Sequence, residues 1–209
     1  MKFWTIQPWN VAEIVMREGR YQPDFTVSAQ RAYLRRFIDN GLTQMVDLYT
    51  LVLNSFNIHN HTNLPGVVFS FCAADDSKIF DIPSKQAFDS YMGSHYNVVE
   101  SLMKTLRKEP DLVLLELDYP DDAFNPIYID LNDFQAAMPP AIPFPPYTPK
   151  ELHAIIQRIQ AGMVALSVFP SGIMQAHTPY IDRENLVGIY PFMNDAALVN
   201  EVADDGQNR

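Results

Sequence analysis

The sequence predicts an α+β domain built on a small mixed or antiparallel split sheet flanked by helices, and three observations lead there. Runs of strand character and runs of helical periodicity follow one another in mixed order, without the regular alternation of a doubly wound sheet. No Gly-rich phosphate loop follows any strand-like run, because the eight glycines are scattered singly. The chain has 209 residues, 47% of them apolar, which is enough to bury one substantial core. A single globular unit over residues 1–200 is expected, with Glu201 to Arg209 as a flexible acidic tail.

Lys2 to Gln7 reads as the first strand, rich in aromatic and β-branched residues. Pro8 then occupies the first turn of a helix, where a missing N–H costs least. That helix runs to about Glu18, with Trp9, Ala12, Val15 and Met16 as its apolar face and Gly19 as its left-handed stop. Ser28 is placed to cap a second helix reaching Asn40-Gly41, and a third, more apolar helix runs from about Leu42 to Phe56. After the polar loop "NIHNHTNLPG", Val67 to Cys72 is a short apolar strand. Ser84 opens a long helical region to about Arg107, interrupted near Gly93.

"DLVLLELDYP" carries the strongest strand signal and ends at Pro120, which cannot donate to a ladder. "IYID" offers a further strand and "LNDFQAAM" a short helix. Met138 to Pro149 holds six of the sixteen prolines, so it is expected to be an extended, stiff connector within the domain. Thr148-Pro149-Lys150-Glu151 is a capping-box pattern, followed by Leu152, Ile155, Ile156 and Ile159 at helical spacing. Two weaker strands are placed at His177 to Ile181 and Leu186 to Tyr190.

The formal charge is −10, from 25 acidic against 15 basic residues. Such a field repels phosphate backbones and acidic membrane surfaces, which argues against non-specific nucleic-acid binding. No stretch has the apolar length of a membrane helix, and no signal-like segment opens the chain, so a cytoplasmic protein is expected. The single cysteine, Cys72, lies in an apolar run and reads as a small buried hydrophobe rather than a nucleophile.

Candidate chemistry lies in four places. His59 and His61 would share one side of an extended segment and could meet at a metal, but no third ligand can be named, and solvent-facing loop histidines account for them as well. "HNHT" is also half of a two-histidine phosphodiesterase motif, with "HTP" at His177 only an imperfect second half. Glu116 is the odd residue of an apolar strand. Alternation sets Val113, Leu115 and Leu117 on one face and Leu112, Leu114, Glu116 and Asp118 on the other. A partly desolvated Glu116 could act as a base or hold a sugar hydroxyl; the plainer reading makes Glu116 and Asp118 the marks of an edge strand reaching solvent. On the first strand, Trp4 fits a core, while Thr5 and Gln7 carry polar groups that cost free energy if buried unpaired, which suits a polar pocket.

"KFWTIQPWNVAEIVMREGRYQPD" and "DLVLLELDYPDDAFNPIYIDLNDFQAAM" resemble the opening and later segments of an uncharacterised bacterial and phage domain family that begins with a Trp-Thr-Ile-Gln strand. "RIQAG" is similar to its final helix, and "GVVFSFC" departs from it in having no tryptophan. More distantly, the layout resembles small ADP-ribosyltransferases. That resemblance implies NAD as cofactor, no metal, and a cleft in a split sheet. It also implies Trp4, Thr5 and Gln7 on the first strand and Ser70 on a middle strand around the ligand, with Glu116 or Glu184 positioning the sugar. Two functions are therefore expected in alternative: an ADP-ribosyltransferase-like, NAD-consuming enzyme acting on a macromolecular target, or a non-enzymatic acidic protein that binds a basic surface of a host or cognate protein.

Overall fold

The computed structural model describes residues 1–25, 44–75, 78–106, 111–137, 147–163 and 167–192. The helix expected from Ser28, most of the Pro-rich connector and the C-terminal tail lie outside the described residues. Within them the α+β architecture is present. The strands are β1 (Lys2–Pro8), β2 (Arg20–Tyr21), β3 (Val68–Ala74), β4 (Ile79–Phe80), β5 (Leu112–Asp118), β6 (Ile127–Asp130), β7 (Ile173–Thr178), β8 (Ile181–Asp182) and β9 (Leu186–Pro191). The helices are α1 (Trp9–Glu18), α2 (Gln44–Asn60), α3 (Lys85–Ser94), α4 (Tyr96–Leu106), α5 (Leu131–Ala137) and α6 (Pro149–Gln160).

The main sheet runs in the order β6-β7-β3-β1-β5-β9, with β4 paired to β3, and β2 and β8 form a separate pair. Every neighbouring pair is antiparallel. The sheet is split in the middle. β1 pairs with β5 from Lys2↔Asp118 through Pro8↔Leu112, and β3 pairs with β7 from Val68↔Thr178 through Ala73↔Ile173, but β1 and β3 share only Trp4↔Phe71. β5 is interior, between β1 and β9, so Glu116 and Asp118 do not mark an edge strand.

One face of the sheet, carrying Phe3, Val68, Cys72, Leu115, Leu117 and Met174, packs on Val11, Ala12 and Val15 of α1. Val11 thus replaces two members of the expected apolar stripe, Trp9 and Met16, which are 41% and 40% exposed. Gly19 ends α1 at φ 87°, and its N–H reaches the Val15 carbonyl. The opposite face has two separate cores. One gathers Val52 and Phe56 of α2, Phe134 of α5, and Ile155 and Ile159 of α6 against Ile127 and Ile129. The other gathers Phe88 and Met92 of α3 and Val99 and Met103 of α4 against Trp4, Phe71, Leu114 and Ile173.

Several local expectations hold for the reasons that suggested them. Ser84 caps α3 by accepting the Ala87 N–H, and Thr148 and Glu151 form a reciprocal capping box on α6. The break between α3 and α4 falls at His95 rather than at Gly93. β7 begins at Ile173, earlier than its polar residues suggested, and α2 continues past Phe56 through His59.

Candidate functional site

The register decides which predicted site residues can meet. Directly opposed residues in an antiparallel pair share a face. Trp4↔Glu116 therefore puts Glu116 on the face of Trp4 and Leu114, while Thr5↔Leu115 and Gln7↔Val113 put Thr5 and Gln7 on the other face. Ser70, opposite Ala176, joins Thr5 and Gln7 there. Thr5, Gln7 and Ser70 are thus brought together beside the split, and Glu116 is separated from them by the sheet. Glu184 is exposed in the turn between β8 and β9.

Each of these residues has a defined local task. The Thr5 hydroxyl donates to the Phe69 carbonyl across the split at 2.7 Å and accepts from Gln7 Nε2 at 2.8 Å. The side chain thus bridges two strands where the backbone ladder is missing. Trp4 is fully buried and its indole N–H donates to the Ile82 carbonyl at 2.9 Å, so its ring faces Phe88 and Tyr190 rather than a ligand. Glu116 is held at both oxygens, by Lys2 Nζ at 2.7 Å and by the Tyr190 hydroxyl at 2.8 Å. The carboxylate raises the Tyr190 pKa chiefly through that hydrogen bond, and likewise the Lys2 pKa.

Three buried polar atoms on β3 and β7 have no hydrogen-bond partner among the described residues: Ser70 Oγ, Gln175 Oε1 and His177 Nε2. His177 Nδ1 lies 2.8 Å from the Ile127 carbonyl, an acceptor only, so Nδ1 carries the proton and Nε2 offers a lone pair. Burial lowers the His177 pKa to about 4. His59 sits in the last turn of α2 and His61 just beyond it at φ 53°, so the extended His-x-His needed for a shared ligand is not formed. No group of three or more His, Cys, Asp or Glu side chains suited to a metal occurs among the described residues. Cys72 is buried, and burial pushes its thiol pKa up.

The register also gathers carboxylates at one end of the sheet, a pattern that alternation along single strands does not reveal. Antiparallel pairing brings the C-terminal ends of β3, β5 and β6 alongside the starts of β1, β7 and β9. Asp75, Asp118 and Asp130 lie at those ends, with Asp121 and Asp122 in the following turn and both exposed. Glu184 belongs to the same end, because the Asp118 N–H donates to the neighbouring Asn185 carbonyl. A cavity of about 420 Å³ opens here, lined by Ala74, Asp75, His95, Asn97, Asp130, Ser171 and Gly172 among others. That volume lies in the range of small-molecule sites.

Two features shape this cavity. His95 Nδ1 lies 2.8 Å from the Tyr91 carbonyl, so in the neutral ring Nδ1 donates and Nε2 is the acceptor. Gly172, at φ 80°, passes so close that a Cβ there would lie 2.6 Å from His95 Nε2, and the Tyr91 hydroxyl donates to the Gly172 carbonyl. Asp130 is 2% exposed and accepts N–H bonds from Asn132 at 2.8 Å and Ser171 at 3.0 Å. Desolvation still raises its pKa. No helix among the described residues is long and apolar enough to cross a membrane. Compared with protein-family models, with curated proteins and with solved structures, the chain matches none.

Proposed function

We propose that the chain is an acidic binding protein that covers a basic surface of a macromolecular partner with one end of its sheet. The observation that carries this reading is the collection of Asp75, Asp118, Asp121, Asp122, Asp130 and Glu184 at that end, in a chain of formal charge −10. The N-terminal ammonium of Met1, 3.5 Å from Asp118 and 2.9 Å from Asp121, sets one positive charge against this cluster, and a cationic partner would offset the remainder while gaining attraction. Titration of the protein with a Lys- and Arg-rich peptide at low and high salt tests the reading. Binding should weaken as salt rises and should weaken at least about tenfold in a triple Asp118→Asn, Asp121→Asn, Asp122→Asn variant. Equal binding by the triple variant, or no binding at low salt, overturns it.

A second reading, an ADP-ribosyltransferase-like domain that binds NAD, is favoured by one specific observation. The sheet is split between β1 and β3, and Thr5, Gln7 and Ser70 meet on one face of the split. Its weakness is the carboxylate: Glu116 is on the other face and Glu184 is in an exposed turn. Thermal shift with NAD tests it. A stabilisation that is lost in Ser70→Ala supports the reading, and no shift at roughly millimolar NAD removes it.

A further inference from the structure

We propose that the cavity at the acidic end of the sheet binds a primary alkylammonium group, held between the Asp130 carboxylate and His95 Nε2. Asp130 is the first reason. A buried carboxylate is ordinarily matched by a cation or a metal. Its neighbour Asp133 has such a match in Arg158 Nη2 at 3.0 Å. Asp130 has none among the described residues, and the nearby carboxylate of Asp133 adds repulsion to its burial. Asp130 accepts the Asn132 and Ser171 N–H groups and interacts with the Ser171 hydroxyl, which together leave part of a carboxylate's acceptor capacity for a ligand in the cavity that it lines.

The second reason is the kind of acceptor offered beside it. The hydrogen bond to the Tyr91 carbonyl turns His95 Nε2 into a lone pair over Gly172, and Asp75 adds a carboxylate to the wall. An alkylammonium carries three N–H donors, which suits a carboxylate, an imidazole nitrogen and a further oxygen better than a planar guanidinium fork does. No Lys or Arg is among the described residues lining the cavity, so its walls supply no counter-charge to Asp130 and none to an anionic ligand. The volume of about 420 Å³ exceeds what an ammonium alone fills, leaving room for its alkyl stem.

The inference rests on the acidic-surface reading only for the source of the ammonium: a lysine side chain of a basic partner, or else a free amine. The test is amide-resolved NMR titration of the whole chain with butylamine, with an acetylated, amidated Gly-Lys-Gly peptide, and with the same peptide carrying norleucine. Both amines should shift the Ser171 and Gly172 amides to saturation, and the norleucine peptide should not. Asp130→Asn should weaken amine binding by at least about tenfold. Because a core substitution can unfold the chain, Asn97→Trp, at an exposed lining position, supplies a second variant that fills the cavity and should block binding without removing a charge.

Saturation by butylamine but not by the lysine peptide sustains the ammonium site and assigns it to a free amine. Failure of basic peptides to bind elsewhere on the protein would count against the acidic-surface reading alone. The proposal is overturned if no amide moves at about 100 mM amine, if norleucine acts as lysine does, or if a folded Asp130→Asn or Asn97→Trp variant binds amine unchanged.

Discussion

Asp133 is the residue whose loss should damage the fold most for its size. It is 3% exposed at the start of α5, and it accepts the Tyr147 hydroxyl and Arg158 Nη2, each at 3.0 Å, and the Ser167 hydroxyl. Those partners come from the segment before α6, from α6 itself and from the segment leading to β7, so one carboxylate joins three parts of the chain. In Asp133→Ala the Tyr147 and Ser167 hydroxyls stay buried without an acceptor, at about 1–3 kcal/mol each. Arg158 is partly exposed and can turn to water, so its share is small. The expected loss is about 3–5 kcal/mol, which for a chain of this length lowers Tm by roughly 6–20 °C. Asp133→Asn keeps the shape and one good acceptor and should lose about half as much. Urea unfolding followed by circular dichroism reads both. A loss below about 1 kcal/mol for the alanine variant would show that the hydroxyls find water and that the network is not a tie between segments.

Three further outcomes follow from the same reasoning. Glu116→Gln should destabilise by about 1–2 kcal/mol, because a neutral amide cannot accept from both Lys2 and Tyr190 as the carboxylate does; no change on denaturation would mean that the pair is idle. His177 has a folded pKa lowered to about 4, so the unfolded chain takes up a proton first as pH falls. Its contribution is fully present above about pH 6.5 and should fade by about 2 kcal/mol at pH 5, a slope that His177→Phe removes; an unchanged slope would place the acid sensitivity elsewhere. Gly162, at φ 59° with a Cβ position 2.2 Å from the His59 ring, should tolerate alanine poorly, with a loss of about 1–3 kcal/mol in the same assay, and a neutral result would show that the end of α2 moves freely away from it.

How much was legible in the sequence depended on how local the cause was. Helix starts and stops rest on a few neighbouring residues, and Gly19, Ser84 and the Thr148–Glu151 box do in the structure what those residues do anywhere. The face of each residue on β5 was equally legible, since alternation needs no partner. Pairing is not local. That β5 lies between β1 and β9, and that Glu116 opposes Trp4 and not Thr5, depends on which strands meet, which no single strand encodes. Expecting Thr5 and Glu116 in one hollow required a register that the folded chain does not have. His59 misled for a different reason: two polar asparagines disguised the last turn of a helix as loop.

The same non-local pairing explains why the acidic end has no signature in the sequence. Asp75, Asp118, Asp130 and Glu184 lie 12 or more residues apart, and each ends a strand or occupies a turn, where an aspartate or glutamate is unremarkable by itself. Antiparallel order converts that habit into a shared rim, because a strand end and its neighbour's start always fall together. Most rims mix signs, so the net field is small. Here Lys2 is bound to Glu116 and the Pro83 carbonyl, Arg20 to Asp182, and the N-terminal ammonium of Met1 to Asp118 and Asp121. Asp130 is left as a buried carboxylate beside a cavity, without a cation of its own among the described residues. A sheet end that keeps Asp122 and Glu184 exposed, and Asp130 buried without a cation among the described residues, is what the proposed cationic partner would require.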